Sequence, residues 1–275
     1  MILTSPAIAR AIEAAEAHHL RVQVETWRAL GGADARVAEL GGGVAAFTEP
    51  LFGRKLNHVT GLGMDGAVDE AALARLEAAY ADRGLATEID LCPHADAALL
   101  PLLARRGYAV NAFSNTYART LDDVADATSD GVEILQGADA AVLFVEASVA
   151  GFLVQAQDRP RRLLEALARI ALARDDTALF VARLDGRVVG SAGLSVAQTP
   201  LGPIGELYIA STLPEWRGRG VQTALLRARL AAAKAAGCAL AVVMARPANA
   251  SARNTERAGF RLAFTKATFA RPPRA

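Results

Sequence analysis

Residues 213–224 read LPEWRGRGVQTA, with arginine and glycine alternating directly before an apolar helical run. Gly218 and Gly220 stand where a strand must end and a helix begin. Glycine lacks a Cβ, so backbone N–H groups beside it can approach a ligand closely. Unpaired amides at a helix start, backed by the positive end of the helix dipole, make a site for phosphate. The competing reading is a capped helix after an ordinary turn. The two glycines alone do not separate these readings.

An internal repeat does. The stretch GYAVNAFSNTYAR (107–119) lies over GFRLAFTKATFAR (259–271) without a gap, at a shift of 152 residues. Internal self-similarity at a fixed shift signals repeated units. At the same shift the alternating run LATEIDLCP (85–93) falls on GCALAVVMA (237–245), and the helical run DEAALARLEAAYADR (69–83) falls on VQTALLRARLAAAKA (221–235). Further back, LNHVTG falls on YIASTL, strand on strand by pattern. The copies differ at the glycine loop: Asp65 stands for Arg217 and Val68 for Gly220. A purely structural turn would be alike in both copies. The contrast therefore favours a phosphate cradle in the second copy, and none in the first.

In the second copy the periodicity predicts a strand near 131–135, helices near 138–153 and 160–174, and strands at 177–184 and 187–197 around Asp185-Gly186. A strand at 204–211, a helix at 221–236, a strand at 239–245, a short helix at 250–258 and a last strand at 260–270 follow. The first copy begins with a helix at Ser5-Pro6 and carries a hairpin around Gly41-Gly42-Gly43. This is an α/β pattern in two tandem units, 1–124 and 125–275.

The 275 residues are 52% hydrophobic and 21% charged, within the globular range and away from disorder. The net charge of +1 hides an asymmetry. Up to Val124 there are 11 Lys and Arg against 16 Asp and Glu, and beyond it 19 against 13. The second half attracts anions. Its cations are scattered along helices and aromatics are few, so nucleic acid is not expected. Cys92 and Cys238 form no paired motif, and the four histidines show no metal-ligand spacing. No basic leader opens the chain and no apolar run approaches the ~20 residues of a membrane span, so the expected location is cytoplasmic and away from membranes.

Cys92-Pro93-His94 reads as a turn rather than a nucleophile with its base, because sequence neighbours seldom face each other. His18-His19 reads as a solvated helix end, and Tyr108 and Phe260 as core residues at matching repeat positions. Pro214 suits either a splayed strand or a helix entry.

Arg217-Gly218-Arg219-Gly220-Val221-Gln222, after a strand and before a helix, resembles motif A of the GNAT family of acyl-CoA-dependent N-acyltransferases. That motif asks for Arg or Gln, two residues, Gly, one residue, then Gly or Ala; here Gln222 replaces the last small residue. SARNTERAGF (251–260) resembles the family's closing helix. The first copy matches only the family's back half, so the chain looks like a tandem member whose first copy is degenerate.

The resemblance implies two GNAT-like domains, each a mixed, mostly antiparallel sheet flanked by helices. It implies acetyl-CoA as cosubstrate and no metal. The amides of Arg217, Gly218, Arg219, Gly220, Val221, Gln222 and Thr223 would hold the pyrophosphate. The backbone of Ala210, Ser211 and Thr212 would pair with the pantetheine arm. Glu206, eleven residues before Arg217, matches a catalytic glutamate of the family's histone-acetylating branch and would be the general base, directly or through water. The competing reading of Glu206 is a strand glutamate paired with an arginine. Thr255 stands at the family's general-acid tyrosine and is a poor proton donor. Tyr208, a water, or no acid at all would serve instead. Ser251 and Asn254 would touch the coenzyme's arm, with helix capping as the other role for Ser251. The expected reaction is direct acetyl transfer to the primary amine of a small molecule or peptide. A sensor that binds acyl-CoA without turnover is the alternative, and a homodimer is left open.

Overall fold

The computed structural model describes residues 4–124, 131–155 and 159–273. They fall into two compact units. One spans Tyr117–Arg261; the other joins the described residues up to Thr116 to those from Leu262 onward. The expected boundary between 124 and 125 lies outside the described residues. The observed division differs from it by giving the last strand to the amino-terminal unit.

The amino-terminal unit opens with helix α1 (Pro6–Ala29), which Ser5 caps by accepting from the Ile8 amide, with Pro6 in the first turn. The hairpin β1 (Arg36–Leu40) and β2 (Gly43–Phe47) turns at Gly41-Gly42. Then come β3 (Val59–Thr60), α2 (Glu70–Ala81), β4 (Thr87–Leu91), α3 (Leu99–Arg105) and β5 (Ala109–Thr120). The chain's last strand, β11 (Arg261–Arg271), pairs antiparallel with β4 in register Phe269↔Ile89. The strand order is β1-β2-β3-β4-β11-β5. Leu73, Leu76 and Tyr80 of α2 pack with Phe47, Val59 and Ile89 of the sheet.

The second unit runs β6 (Glu133–Gln136), α4 (Gly137–Gln155), α5 (Arg161–Ala173), β7 (Thr177–Leu184), β8 (Arg187–Thr199), β9 (Gly202–Thr212), α6 (Val221–Ala235), β10 (Leu240–Ala245) and α7 (Ala250–Arg257). Its strand order is β5-β10-β9-β8-β7-β6. The pairs β6–β7, β7–β8 and β8–β9 are antiparallel, and β9–β10 is parallel. Helix α6 packs on one sheet face through Val221, Leu225 and Leu226, against Phe180, Leu194 and Leu207. Helices α4 and α5 cover the other face, where Phe144 and Leu164 meet Leu179, Val181 and Tyr208.

The sequence reading needs three corrections. Each copy was expected to keep its own last strand. Instead β11 borders β4, and β5 borders β10. The two strands come from the best-matched stretches of the repeat, so each fits the edge its twin would fill.

The second correction concerns LNHVTG, which does not correspond to YIASTL. Thr60 pairs with Asp90 and Glu206 pairs with Val242. Asp90 and Val242 are 152 apart, so Thr60 holds the position of Glu206, not of Thr212. The first copy is thus six residues shorter than the second between this strand position and the next parallel strand.

The third is α4. Its window Gly137–Val154 has a mean hydropathy of 1.7, long and apolar enough by composition to cross a membrane. Its Ala140, Phe144 and Val149 are buried against α5 and β7.

Candidate active site

The glycine loop enters α6 through a left-handed backbone. Gly218 has φ 75° and Gly220 φ 80°, and a Cβ built on either would meet nothing within 4 Å. Glycine is needed here for its conformation and leaves the space above the loop open. Gly220 is the N-cap of α6, and no side chain bonds the first-turn amides. By contrast Ser5, Asp69 and Asn249 cap α1, α2 and α7. The first-turn amides of α6 are thus left without a side-chain acceptor, as a helix-start anion site requires. Its residues 217–220 are exposed. Arg219 stacks on Trp216 at 4.9 Å and lies 3.8 Å from Asp185. Pro214 starts a 3-10 turn over Pro214–Trp216, the helix-entry role.

What splays β9 is a bulge. Ser191 pairs with Ser211 and Gly193 with Tyr208, so β9 carries one residue more than β8 across this step. Within it Ile209 has φ 46°, a conformation that costs a β-branched residue roughly 1–3 kcal/mol. On the other edge the parallel ladder to β10 stops at Glu206↔Val242, although β9 continues to Thr212 and β10 to Ala245. Ala210, Ser211 and Thr212 lie on this diverging segment. Ser211 is buried, its hydroxyl 3.3 Å from that of Ser191, and a Cβ at Gly151 of α4 would lie 2.2 Å from its Oγ.

Glu206 begins the divergence and is 4% exposed. The ladder places it in one row with Ser195 and Thr177 on neighbouring strands, all on the sheet face that α4 and α5 cover. Tyr208, two residues on, shares that face. Its ring lies across Gly193, where a Cβ would sit 2.9 Å from the ring, and its hydroxyl reaches Thr177 Oγ1 at 3.0 Å. Burial pushes the Tyr208 phenol up to about 12; the Arg174 guanidinium opposes this and the Asp176 and Glu206 charges add to it. Arg174, Asp176, Thr177 and Gly193 were missed in the sequence. The polar run before β7 was visible, but not that its arginine would be buried.

In α7, Asn249 and not Ser251 is the cap, accepting from the Ala252 amide at 2.7 Å. Ser251 is exposed, Asn254 half-buried, and Thr255 only 2% exposed.

The amino-terminal unit fills the matching position with ions. Lys266 Nζ donates to Glu16 at 2.6 Å and to Thr60, the counterpart of Glu206, at 3.0 Å, and lies 3.1 Å from Glu13. Arg54 bonds Asp90, which also accepts from Thr268. Glu16, His58 and Asp90 bring potential metal-ligand atoms within 4.8 Å, a cluster no sequence spacing revealed, and Lys266 and Arg54 are the cations beside it. Burial raises Glu13 to about 7 and lowers His58 to about 4. Cys92 is buried in a turn and pushed up to about 12. His18 and His19 lie mid-helix in α1, and His19 is buried, so they are not a solvated helix end.

Residues 144–260 match the model of the acetyltransferase (GNAT) family. No curated protein matches the chain. Among solved structures, a GCN5-related N-acetyltransferase from Kribbella flavida is similar with a TM-score of 0.64 at 20% identity, covering 98% of this chain and 97% of that one. A GCN5-related N-acetyltransferase from Sphaerobacter thermophilus reaches 0.53 at 16%, covering 99% and 95%. A tandem GNAT protein from the clavulanic acid biosynthesis pathway reaches 0.56 at 14%, covering 79% and 76%. Residues 144–260 are a domain of the acetyltransferase (GNAT) family, in a chain that shares the fold of tandem GNAT proteins.

Proposed function

We propose that the second unit binds acetyl-CoA and transfers its acetyl group directly to a primary amine of a small molecule or peptide. One observation carries this reading: β9 parts from β10 immediately after Glu206, and the same strand leads into a glycine-entered helix whose first-turn amides no side chain caps. A diphosphate suits the amides of Arg217 to Thr223. An amide-rich arm suits the strand edge that diverges from β10 along Ala210, Ser211 and Thr212, and Ser251 and Asn254, by the resemblance of α7 to the family's closing helix, would touch that arm.

The acceptor ammonium gives a proton to Glu206, directly or through water, and the amine nitrogen attacks the thioester carbonyl. A tetrahedral intermediate forms with a cationic nitrogen; that nitrogen gives a second proton to water, the C–S bond breaks, and the sulfur leaves with the bonding pair, so that a neutral amide and a thiolate result. A thiol of ordinary pKa near 8.5 leaves as thiolate without assistance. Tyr208, at about 12, is the weaker acid by roughly three units, so full transfer of its proton to that thiolate is uphill. Its proposed part is to shape the acceptor floor and, where a proton is shared, to donate a hydrogen bond.

The amino-terminal unit, with Asp65 in place of Arg217, a connection six residues shorter and an internal ammonium beside Thr60, takes no second coenzyme. The test is release of free thiol from acetyl-CoA across a panel of amines, with mass spectrometry of the acetylated product. A sensor binds the coenzyme and releases nothing.

A further inference from the structure

Ser148 of α4 is 1% exposed, and among the described residues its hydroxyl has no hydrogen-bond partner, not even the Phe144 carbonyl one turn earlier. A buried hydroxyl without a partner costs stability, because the hydrogen bonds it made to water in the unfolded chain are not replaced. Native structures keep few such groups, and a ligand is one way to complete them. On the same sheet face the Ser191 and Ser211 hydroxyls pair with each other at 3.3 Å.

The helix period sets what Ser148 faces. Phe144, Ser148 and Gly151 stand at i, i+4 and i+7, on one stripe of α4. Phe144 packs in one cluster with Tyr208 and Ile209. Gly151 meets Ser211, where a Cβ would lie 2.2 Å from Oγ. Between these two contacts Ser148 lies over the bulge of β9, which turns both Tyr208 and Ile209 toward α4 and holds Ile209 at φ 46°. In the proposed function the pyrophosphate lies at Arg217 to Thr223, the coenzyme arm along Ala210 to Thr212, and the base is Glu206. The thioester then falls between Ala210 and Glu206, at the bulge beneath Ser148.

We propose that Ser148 is a catalytic residue: its hydroxyl donates a hydrogen bond to the thioester carbonyl oxygen, and that bond strengthens as the oxygen gains negative charge in the tetrahedral intermediate. No covalent bond to Ser148 forms, and the hydroxyl keeps its proton throughout. The charge on the oxygen is lost again when the C–S bond breaks and the amide carbonyl forms. This rests on the reading of the second unit as an acetyltransferase.

The full-length protein and its Ser148→Ala variant test it. Acetyl-CoA carrying carbon-13 at the carbonyl is bound to each without an acceptor, and the thioester C=O stretch is read by difference infrared spectroscopy. In the parent the band should lie below that of free acetyl-CoA, and part of that shift should be lost in the variant. With an accepted amine, kcat for thiol release should fall roughly 10²-fold, while calorimetry still shows acetyl-CoA binding. Thermal unfolding of the free variant should occur no lower than in the parent, since an unpaired hydroxyl is removed and alanine suits a helix better. A band that does not move between the two proteins, or a kcat that does not fall, would make Ser148 a packing residue and overturn the proposal. A lowered unfolding midpoint would show that the hydroxyl holds the fold, and would overturn it as well. If no amine releases thiol but the band still depends on Ser148, the transferase reading fails and the contact stands. If acetyl-CoA does not bind, both fail.

Discussion

Replacing Glu13 by glutamine should turn a nearly flat pH dependence of stability into one that rises with pH over a defined window. Glu13 is 0% exposed and its pKa rises from 4.5 to about 7, chiefly through burial, with Lys266 opposing and Glu16 adding. Between these values the folded protein holds a proton that the unfolded chain has released. The stability from this group is complete below pH 4.5 and is lost as pH rises through 7. At 1.36 kcal/mol per unit, the loss amounts to about 3 kcal/mol.

His58 works in the opposite direction. Its pKa falls from 6.5 to about 4, again through burial, so the unfolded chain binds the extra proton and stability is lost as pH falls from 6.5 to 4. The two groups nearly cancel between pH 4.5 and 6.5. In Glu13→Gln only the histidine slope remains. Urea unfolding of both proteins at pH 4.5 and pH 7 should show the variant gaining about 3 kcal/mol relative to the parent as pH rises. The difference between the two pH values cancels any fixed cost of losing the Lys266 contact. A difference in stability that is the same at both pH values would mean that Glu13 is ionised throughout and would refute the argument.

Glu206→Gln should lower turnover by roughly 10²–10⁴-fold while acetyl-CoA still binds, as calorimetry and thiol release together would establish. Gly220→Val should weaken coenzyme binding and cost about 1–2 kcal/mol, because φ 80° is strained for any side chain, and thermal unfolding with and without coenzyme reads both effects. Lys266→Ala leaves Glu13 and Glu16 buried without their cation and should destabilise the protein by about 3–5 kcal/mol in urea unfolding. Native mass spectrometry should count one coenzyme per chain, and Arg217→Asp, copying the first repeat, should weaken its retention.

Local signals were legible in the sequence because they depend on short-range backbone preference. The glycine loop before α6, the Asp185-Gly186 turn of β7 and β8, the Ser5-Pro6 start of α1 and the helical and alternating periods all appear where they were expected. The glycine loop could be named from one contiguous stretch, and Glu206 from the family resemblance that this stretch carries. Tertiary structure alone decided which edge each last strand joined, since β5 and β11 carry nearly the same pattern and pattern cannot choose between equivalent edges. Strand register, not sequence shift, revealed that the first copy is six residues shorter between the two parallel strands. The ion cluster joins Glu13 to Lys266 across 253 residues, and Arg174 from the end of α5 lies over the Tyr208 ring. Burial of a charge is set by what the whole fold packs around it, and that information is not held in any short stretch of chain.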